Sequence, residues 1–465
     1  MSTGAGPSPL DRIRTPAPLI RRRLPSARGA TEQPNATGDG DAPLTARFWA
    51  LVAVTGVAAG LLGVAMMLVL HGVERLAFGT GAPSGFTAAV QQVPPSRRFV
   101  VLALAGLVTG SGWYLLRRWT AGESTHVDDE VWTGRALLSF RRSLGTSVLS
   151  EVAVGAGASL GREAAPKLLG AASGTLLAQW FGLGPGQRRL LVCCGAGAGM
   201  AAVYNVPLGG ALLTAELLYG SLALPVILPA LACSGIATAV AWVYLPIGPT
   251  YPGLPGYPVT VPHVLFALLA GPLIGLVAVG YVRLIGTVSF HQARGRTAIV
   301  APALAFAVLG LVAAAYPQVL GNGQDLAEGV FVAVGRYPLA LIAVLVLLKP
   351  LVTALCLGSG ASGGLFTPTL ATGALLGAAL GTGWVHLWPG TAVGGYALIG
   401  AAAMIGAAMQ TPLAALALVV ELTRTADTLI VPLVIATMLA TAVTRFLDGY
   451  SIYSSRLPAQ SPISS

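Results

Sequence analysis

The sequence predicts an all-α membrane protein, a bundle of many tilted and broken transmembrane helices built as two repeats. Three observations carry that prediction. Of the 465 residues, 55% are apolar and only 9% are charged, with a mean hydropathy of +0.76; a soluble globular chain carries roughly 25% charged residues. Apolar stretches near the roughly 20 residues needed to cross a hydrocarbon core as a helix recur along almost the whole chain. The chain also resembles itself at a nearly constant spacing, as repeat-built transporters do.

The candidate spans are Phe48–Leu70, Phe99–Leu116, Leu222–Leu245, Val264–Val282, Leu339–Leu357 and Leu429–Val443. The short alternating segments of a closed β-barrel are missing, so the spans read as helices. The 60 glycines and 32 prolines are spread through these segments. In lipid, the backbone groups they free must meet a neighbouring helix or line a cavity. Short, tilted and interrupted helices follow, an arrangement suited to an ion pathway.

Residues 1–45 are rich in Pro, Gly, Ser, Thr and Arg and read as a disordered tail. They hold no apolar core or cleavage site of a signal peptide before Phe48. Arg12, Arg14, Arg21, Arg22, Arg23, Arg28 and Arg47 precede the first span and place the N-terminus in the cytoplasm by positive-inside bias. Residues 457–465 read as a short C-terminal tail, and both termini are expected on the cytoplasmic side of a multi-pass cell-membrane protein. The net charge of +10 forms no basic stripe beside aromatics, so nucleic acid is not an expected partner; the lipid bilayer is. Cys193, Cys194, Cys233 and Cys356 sit in apolar surroundings and read as packing residues rather than a disulfide framework or zinc site. His126 near Asp128, Asp129 and Glu130 reads as a solvated loop rather than a metal cluster. No metal and no cofactor is expected.

The repeat is visible residue by residue. Gly157-Ala158-Ser159 with Gly161 recurs as Gly360-Ala361-Ser362 with Gly364, an offset of 360 − 157 = 203. Pro207-Leu208 and Glu216 recur as Pro412-Leu413 and Glu421, at 412 − 207 = 205, and Ala237–Val240 recurs as Ala440–Val443, at 440 − 237 = 203. The halves run roughly 46–250 and 258–455 within a transmembrane domain of 46–456. A repeated membrane protein with interrupted helices at matching positions places its binding site at the repeat interface. Small-residue runs also let helices pack closely, and that reading suits Gly195–Gly199 and Gly400–Gly406.

It suits Gly155–Glu163 and Gly358–Phe366 less well. In the first, a glycine run leads to Arg162-Glu163 where a new helix begins, with Pro166 in its first turn, a position where a missing N–H costs little. A helix N-terminus attracts an anion, so Glu163 reads as a tethered anion that occupies the site when ionised and leaves it when protonated. An intramembrane carboxylate defaults to a functional role. The bland alternative is a permanent Arg162–Glu163 pair, which adjacent residues on a helix are badly placed to make. The second run, Gly358 to Pro368, has the same loop-then-helix order without a carboxylate. Two such loops converging make a cage of N–H groups able to hold, and release, a weakly hydrated anion.

At these residues the sequence resembles the CLC family of chloride channels and chloride/proton exchangers, of bacterial type, over about residues 46–456. Gly161-Arg162-Glu163 resembles the family's G-(K/R)-E-G-P motif, whose glutamate is the gate. Gly364-Leu365-Phe366-Thr367-Pro368 resembles its G-x-F-x-P motif, which supplies anion-binding amides. Ile452-Tyr453-Ser454 resembles the segment whose tyrosine hydroxyl touches the central anion. The resemblance implies an inverted two-repeat bundle and a homodimer with one pathway per subunit. It also implies chloride as cargo, with protons as a second cargo left open. Anion-binding residues would then be Ser124, Gly161, Arg162, Glu163, Gly364, Leu365, Phe366 and Tyr453. Only the residues to Ser465 follow Tyr453, so the CBS pair found on some relatives is not expected in this chain.

Departures from the family pattern bear on selectivity and mode. The G-S-G-x-P motif stands as Glu123-Ser124-Thr125-His126-Val127, with Ser124 at the serine position but without the glycines and proline. Ala164-Ala165 replace Gly-Pro after the gate, and Lys167 is unusual one turn into the helix. It either raises the anion-attracting potential, or snorkels to an interface or meets a carboxylate elsewhere. Leu217 stands where family exchangers commonly carry an internal proton-accepting glutamate, and the neighbouring Glu216 is matched by Glu421, which favours a structural or vestibule role over a dedicated proton relay. Channel and exchanger both stay open, with fluoride export as the alternative transport reading. An intramembrane enzyme would need a nucleophile–base pair or a box such as H-E-x-x-H. Glu151 and Glu163 alone supply neither, so the chain is not expected to be an enzyme.

Overall fold

The computed structural model describes residues 44–79, 85–125, 127–133, 137–293, 295–332, 337–424 and 426–456. Apart from Leu44 and Thr45, the expected tails lie outside the described residues, as do His126 and the side chains of Asp128 and Asp129. The first half holds α1 (Ala46–Phe78), α2 (Gly85–Gln92), α3 (Pro95–Trp119), α4 (Val127–Thr133) and α5 (Phe140–Gly155). It continues with α6 (Ala164–Trp180), α7 (Pro185–Tyr204), α8 (Pro207–Leu213) and α9 (Leu224–Ala241). The second holds α10 (Val261–Phe290), α11 (Thr297–Ala315), α12 (Gln324–Val332) and α13 (Leu339–Gly358). It ends with α14 (Phe366–Leu387), α15 (Val393–Met409), α16 (Pro412–Thr423) and α17 (Ile430–Leu447). Among the described residues, the only strand-like pairings are two isolated bridges.

Eight of these helices are long and apolar enough to cross a membrane. The six candidate spans coincide with α1, α3, α9, α10, α13 and α17; α11 and α14 complete the set. Two of the remaining helices, α7 and α15, end where the sequence stops them. Asn205 and Gln410 end α7 and α15 in the left-handed region, at φ 56° and 59°, which few non-glycine residues adopt. Pro207 and Pro412 then open α8 and α16 at a first-turn position, where proline is tolerated. The same break thus occurs at the same place in both halves.

Small residues fill the centre. From Leu190 onward α7 is buried, and so is almost all of α15. Gly170 and Gly195 let α6 and α7 touch backbone to backbone, and Gly373 and Gly400 do the same for α14 and α15. The outer helices turn leucines outward, such as Leu61 and Leu104 at 57% exposure and Leu311 at 64%, a surface for lipid to cover.

Two carboxylates tie the halves together. Glu216, in a π-helical turn (Thr214–Tyr219) that continues α8, accepts from the N–H groups of Leu413 at 3.2 Å and Ala414 at 2.7 Å, at the start of α16. Glu421 of α16 accepts from Leu208 at 3.0 Å and Gly209 at 2.6 Å, at the start of α8. Each repeat closes the other's orphan helix N–H groups, which is the structural role expected for Glu216.

Candidate functional site

The two glycine runs form loop one (residues 156–163, between α5 and α6) and loop two (residues 359–365, between α13 and α14). Gly157 and Gly360 turn them at φ 105° and 92°, a region that favours glycine. The loops meet in a short antiparallel bridge. The Gly161 N–H donates to the Gly364 carbonyl at 2.7 Å, and the Gly364 N–H to the Gly161 carbonyl at 2.7 Å. The reciprocity is that of a local twofold axis. It corrects one expectation: the amides of Gly161 and Gly364 are committed to each other, so they join the loops rather than face an anion.

Each loop is also held by the helix that leads into the other. Ser150 of α5 donates its hydroxyl to the Ser362 carbonyl at 2.8 Å, and Thr353 of α13 bonds Ser159 at 3.1 Å. Loop one has an additional anchor. The ammonium of Lys349, fully buried in α13, donates to Ser159 Oγ at 2.9 Å, Val319 O at 3.0 Å and Gly321 O at 2.8 Å. Three donors meet three acceptors, the condition under which a buried cation is tolerated.

Glu163 caps α6 from its φ of −73° without a side-chain bond to that helix. Its side chain crosses to the other repeat. Oε1 accepts from the Phe366 N–H at 2.7 Å, at the start of the 22-residue α14. Oε2 accepts from Tyr204 at 3.1 Å and Thr367 at 3.2 Å, and those two hydroxyls lie 2.6 Å apart. A tethered anion at a helix start is what the sequence predicts, but the helix is α14 rather than its own α6. The Gly161–Gly364 bridge explains the change, because it sets the start of α14 beside Glu163. Charge-assisted bonds of this kind are the stronger sort.

Arg162 does not hold Glu163. Its guanidinium lies over the Tyr204 ring, 4.9 Å from the centroid, and its Nε has no hydrogen-bond partner. It lines a cavity of about 390 Å³ with Leu70, His71, Glu74, Val154 and Asp325 among the other walls. Leu365 is buried at the cap of α14, where its carbonyl accepts from Thr369 N–H at 3.0 Å. Tyr453 is buried too, with the Lys167 ammonium 4.3 Å above its ring. Lys167 therefore reaches the residue that the tyrosine motif singles out. Ser124 pairs with Leu138 in a parallel bridge, its carbonyl accepting from Ser139 N–H at 3.2 Å. That pairing fixes the loop through its backbone.

Tyr204, Thr367 and Lys349 escape a reading of the sequence. Tyr204 ends an apolar helix, Thr367 sits inside the second motif as a spacer, and Lys349 is one cation in a long apolar run. An isolated lysine inside a predicted span was the one available signal.

Comparison with known proteins identifies the family and the fold. Residues 105–445 match the family model described as voltage gated chloride channel. A ClcB-like protein of Ralstonia nicotianae is 30% identical over 389 residues, covering 81% of this chain and 89% of the relative. The H(+)/Cl(−) exchange transporter ClcA of Yersinia pseudotuberculosis is 29% identical over 437 residues, covering 88% of this chain and 86% of its own. The fold is shared with a slow cyanobacterial Cl−/H+ antiporter at a TM-score of 0.76 and 22% identity, over 88% of this chain and 97% of that one. It is shared with a CLC-type fluoride/proton antiporter at 0.68 and 21%, over 89% and 98%.

Proposed function

The chain belongs to the voltage-gated chloride channel (CLC) family, and on that premise we propose that it moves chloride across a membrane along a pathway gated by the Glu163 carboxylate. One observation carries the reading: Glu163, from one repeat, sits on the Phe366 N–H at the start of α14, from the other. A helix N-terminus inside a membrane is a site for an anion, and the carboxylate fills it as a tethered substitute. Protonation removes its charge and its claim on the amide. The neutral side chain leaves, and a free anion takes the same donors, with the hydroxyls of Tyr204 and Thr367 close by.

Residues 46–456 form the transport domain in this reading, with both termini cytoplasmic and two copies as the working unit, each with its own pathway. Leu217 is fully buried and carries no proton, so coupling to protons rests on other groups or is absent. Chloride and proton flux measured together in proteoliposomes decide between exchanger and channel. Fluoride competition in the same vesicles tests the cargo, and a preference for fluoride overturns chloride.

For the gate, Glu163→Gln is expected to flatten the pH dependence of chloride efflux and abolish any coupled proton movement. The sign follows from the geometry. An ionised Glu163 blocks and a protonated one does not, so flux in the parent rises as pH falls, while the glutamine variant is open throughout. A parent-like pH profile in Glu163→Gln would sink the assignment.

A further inference from the structure

Glu151 of α5 is fully buried, and among the described residues neither carboxylate oxygen has a hydrogen-bond partner. A bare carboxylate in that position costs several kcal/mol or more, and such a group adopts its neutral form instead. As a packing element it is a poor choice; leucine would fill the space without the penalty.

Its surroundings are not those of an accident. One turn further along α5, Gly155 packs against Leu70 and Val73 of α1, so Glu151 faces α1. Val154, on the adjoining face of α5, lines the cavity that also holds His71, Glu74 and Arg162. Glu151 lies within electrostatic range of Glu163, Arg162 and Glu74. The other charged groups on neighbouring elements are engaged elsewhere or lie across the cavity. From α3, Arg98 donates to carbonyls of Val90, Gln91 and Ala313, and Arg97 to that of Ala77. From α6, Lys167 covers Tyr453, while Arg75 and Asp325 stand in the cavity wall.

We propose that Glu151 is the proton reservoir of the gate, a neutral acid lying between the Glu74 cavity and Glu163. Neutral Glu151 gives its proton to the Glu163 carboxylate, directly or through water, and becomes a carboxylate itself. Glu163, now neutral, releases the Phe366 amide. The Glu151 carboxylate then takes a proton from the cavity, where Glu74, His71 and bulk water supply it. Only O–H bonds (or an N–H, where His71 is the donor) break and form, and the pair Glu151–Glu163 never holds fewer than one proton, because two buried carboxylates within electrostatic range of each other resist double ionisation. The inference rests on the gating role given to Glu163 and adds the source of the proton that works it.

The test uses the intact chain in liposomes, with Glu151→Gln, Glu163→Gln and the parent compared. Infrared spectroscopy records the protonated-carboxyl band at neutral pH, and chloride efflux is followed as the medium is acidified. Expected are a carboxyl band weaker in Glu151→Gln than in the parent by the contribution of one carboxyl group, and an acid response of efflux smaller by about tenfold or more. A band of the parent's full strength in Glu151→Gln overturns the proposal, and so does an unchanged acid response. If Glu163→Gln loses its acid response while Glu151→Gln keeps the parent's, the gate stands and the reservoir falls. If Glu163→Gln keeps it, the gate itself falls. Should Glu151→Gln fail to fold, Glu151→Leu replaces it. Should both fail, the parent decides: a carboxyl band present at neutral pH and lost in alkali supports the reservoir, and no such band overturns it.

Discussion

The two pore loops are built alike and held differently. Both turn on a left-handed glycine, Gly157 in one and Gly360 in the other, and the bridge between Gly161 and Gly364 treats them as equals. Loop two ends in an amide that receives a charge. Loop one ends in the charge, Glu163. Loop two is tied to α5 by a single hydroxyl, Ser150, whereas loop one is tied to α13 by Thr353 and by the buried ammonium of Lys349. The loop that ends in Glu163 has the additional anchor, through the Ser159 hydroxyl. In the gating proposed for Glu163, that anchor would leave the movement to the side chain.

The sharpest way to break that comparison is Gly364→Ala. A Cβ there would coincide with the Glu163 carboxylate, and the flexible end of that side chain is what yields. The expected result is a carboxylate expelled without protonation. The rise in chloride efflux between neutral and acidic medium should shrink by about tenfold, the worth of one charge-assisted hydrogen bond. A pH profile identical to the parent's would mean that the carboxylate does not need the place it occupies beside Gly364.

Next in size is Lys349→Met. It leaves Val319 O and Gly321 O, and part of the Ser159 hydroxyl's capacity, without a donor in a buried place. Each unmet group costs about 1–3 kcal/mol, partly offset by no longer burying an ammonium, so the net loss should be about 3 kcal/mol. Thermal unfolding in detergent measures it, and flux should fall with it as loop one loosens. Unchanged stability would show that the ammonium anchors nothing.

These residues also mark what the sequence could disclose. The repeat was legible because identical residues recur at a nearly constant spacing, and Glu163 as a candidate gate because a carboxylate stood at a helix start in an apolar chain. The partners were not. That Glu163 would land on α14 rather than α6 depends on the Gly161–Gly364 bridge, a contact between residues 203 apart in number (364 − 161) that no local pattern encodes. The same holds for Tyr204, which a left-handed Asn205 sets at the end of α7, and for Lys349, whose three acceptors come from two distant loops. The cap function of Glu216 was half legible. Its match with Glu421 said the two act as a pair, but only the fold shows that each closes the other repeat's helix.

The smallest predicted difference tests the anchoring argument most directly. Ser150→Ala and Thr353→Val remove corresponding hydroxyls from the two repeats, and a symmetric structure would lose the same stability in both. Here the losses should differ. Ser150→Ala takes the side-chain donor from the Ser362 carbonyl and should cost about 1 kcal/mol. Thr353→Val leaves Ser159 bonded to Lys349 at 2.9 Å, so its cost should be about half as large. In a Lys349→Met background that protection is gone, and Thr353→Val should then cost as much as Ser150→Ala, a coupling that a double-mutant cycle reads out. Equal losses in the parent background would mean that the lysine adds no hold on loop one, and that the two loops differ only in the carboxylate at the end of one of them.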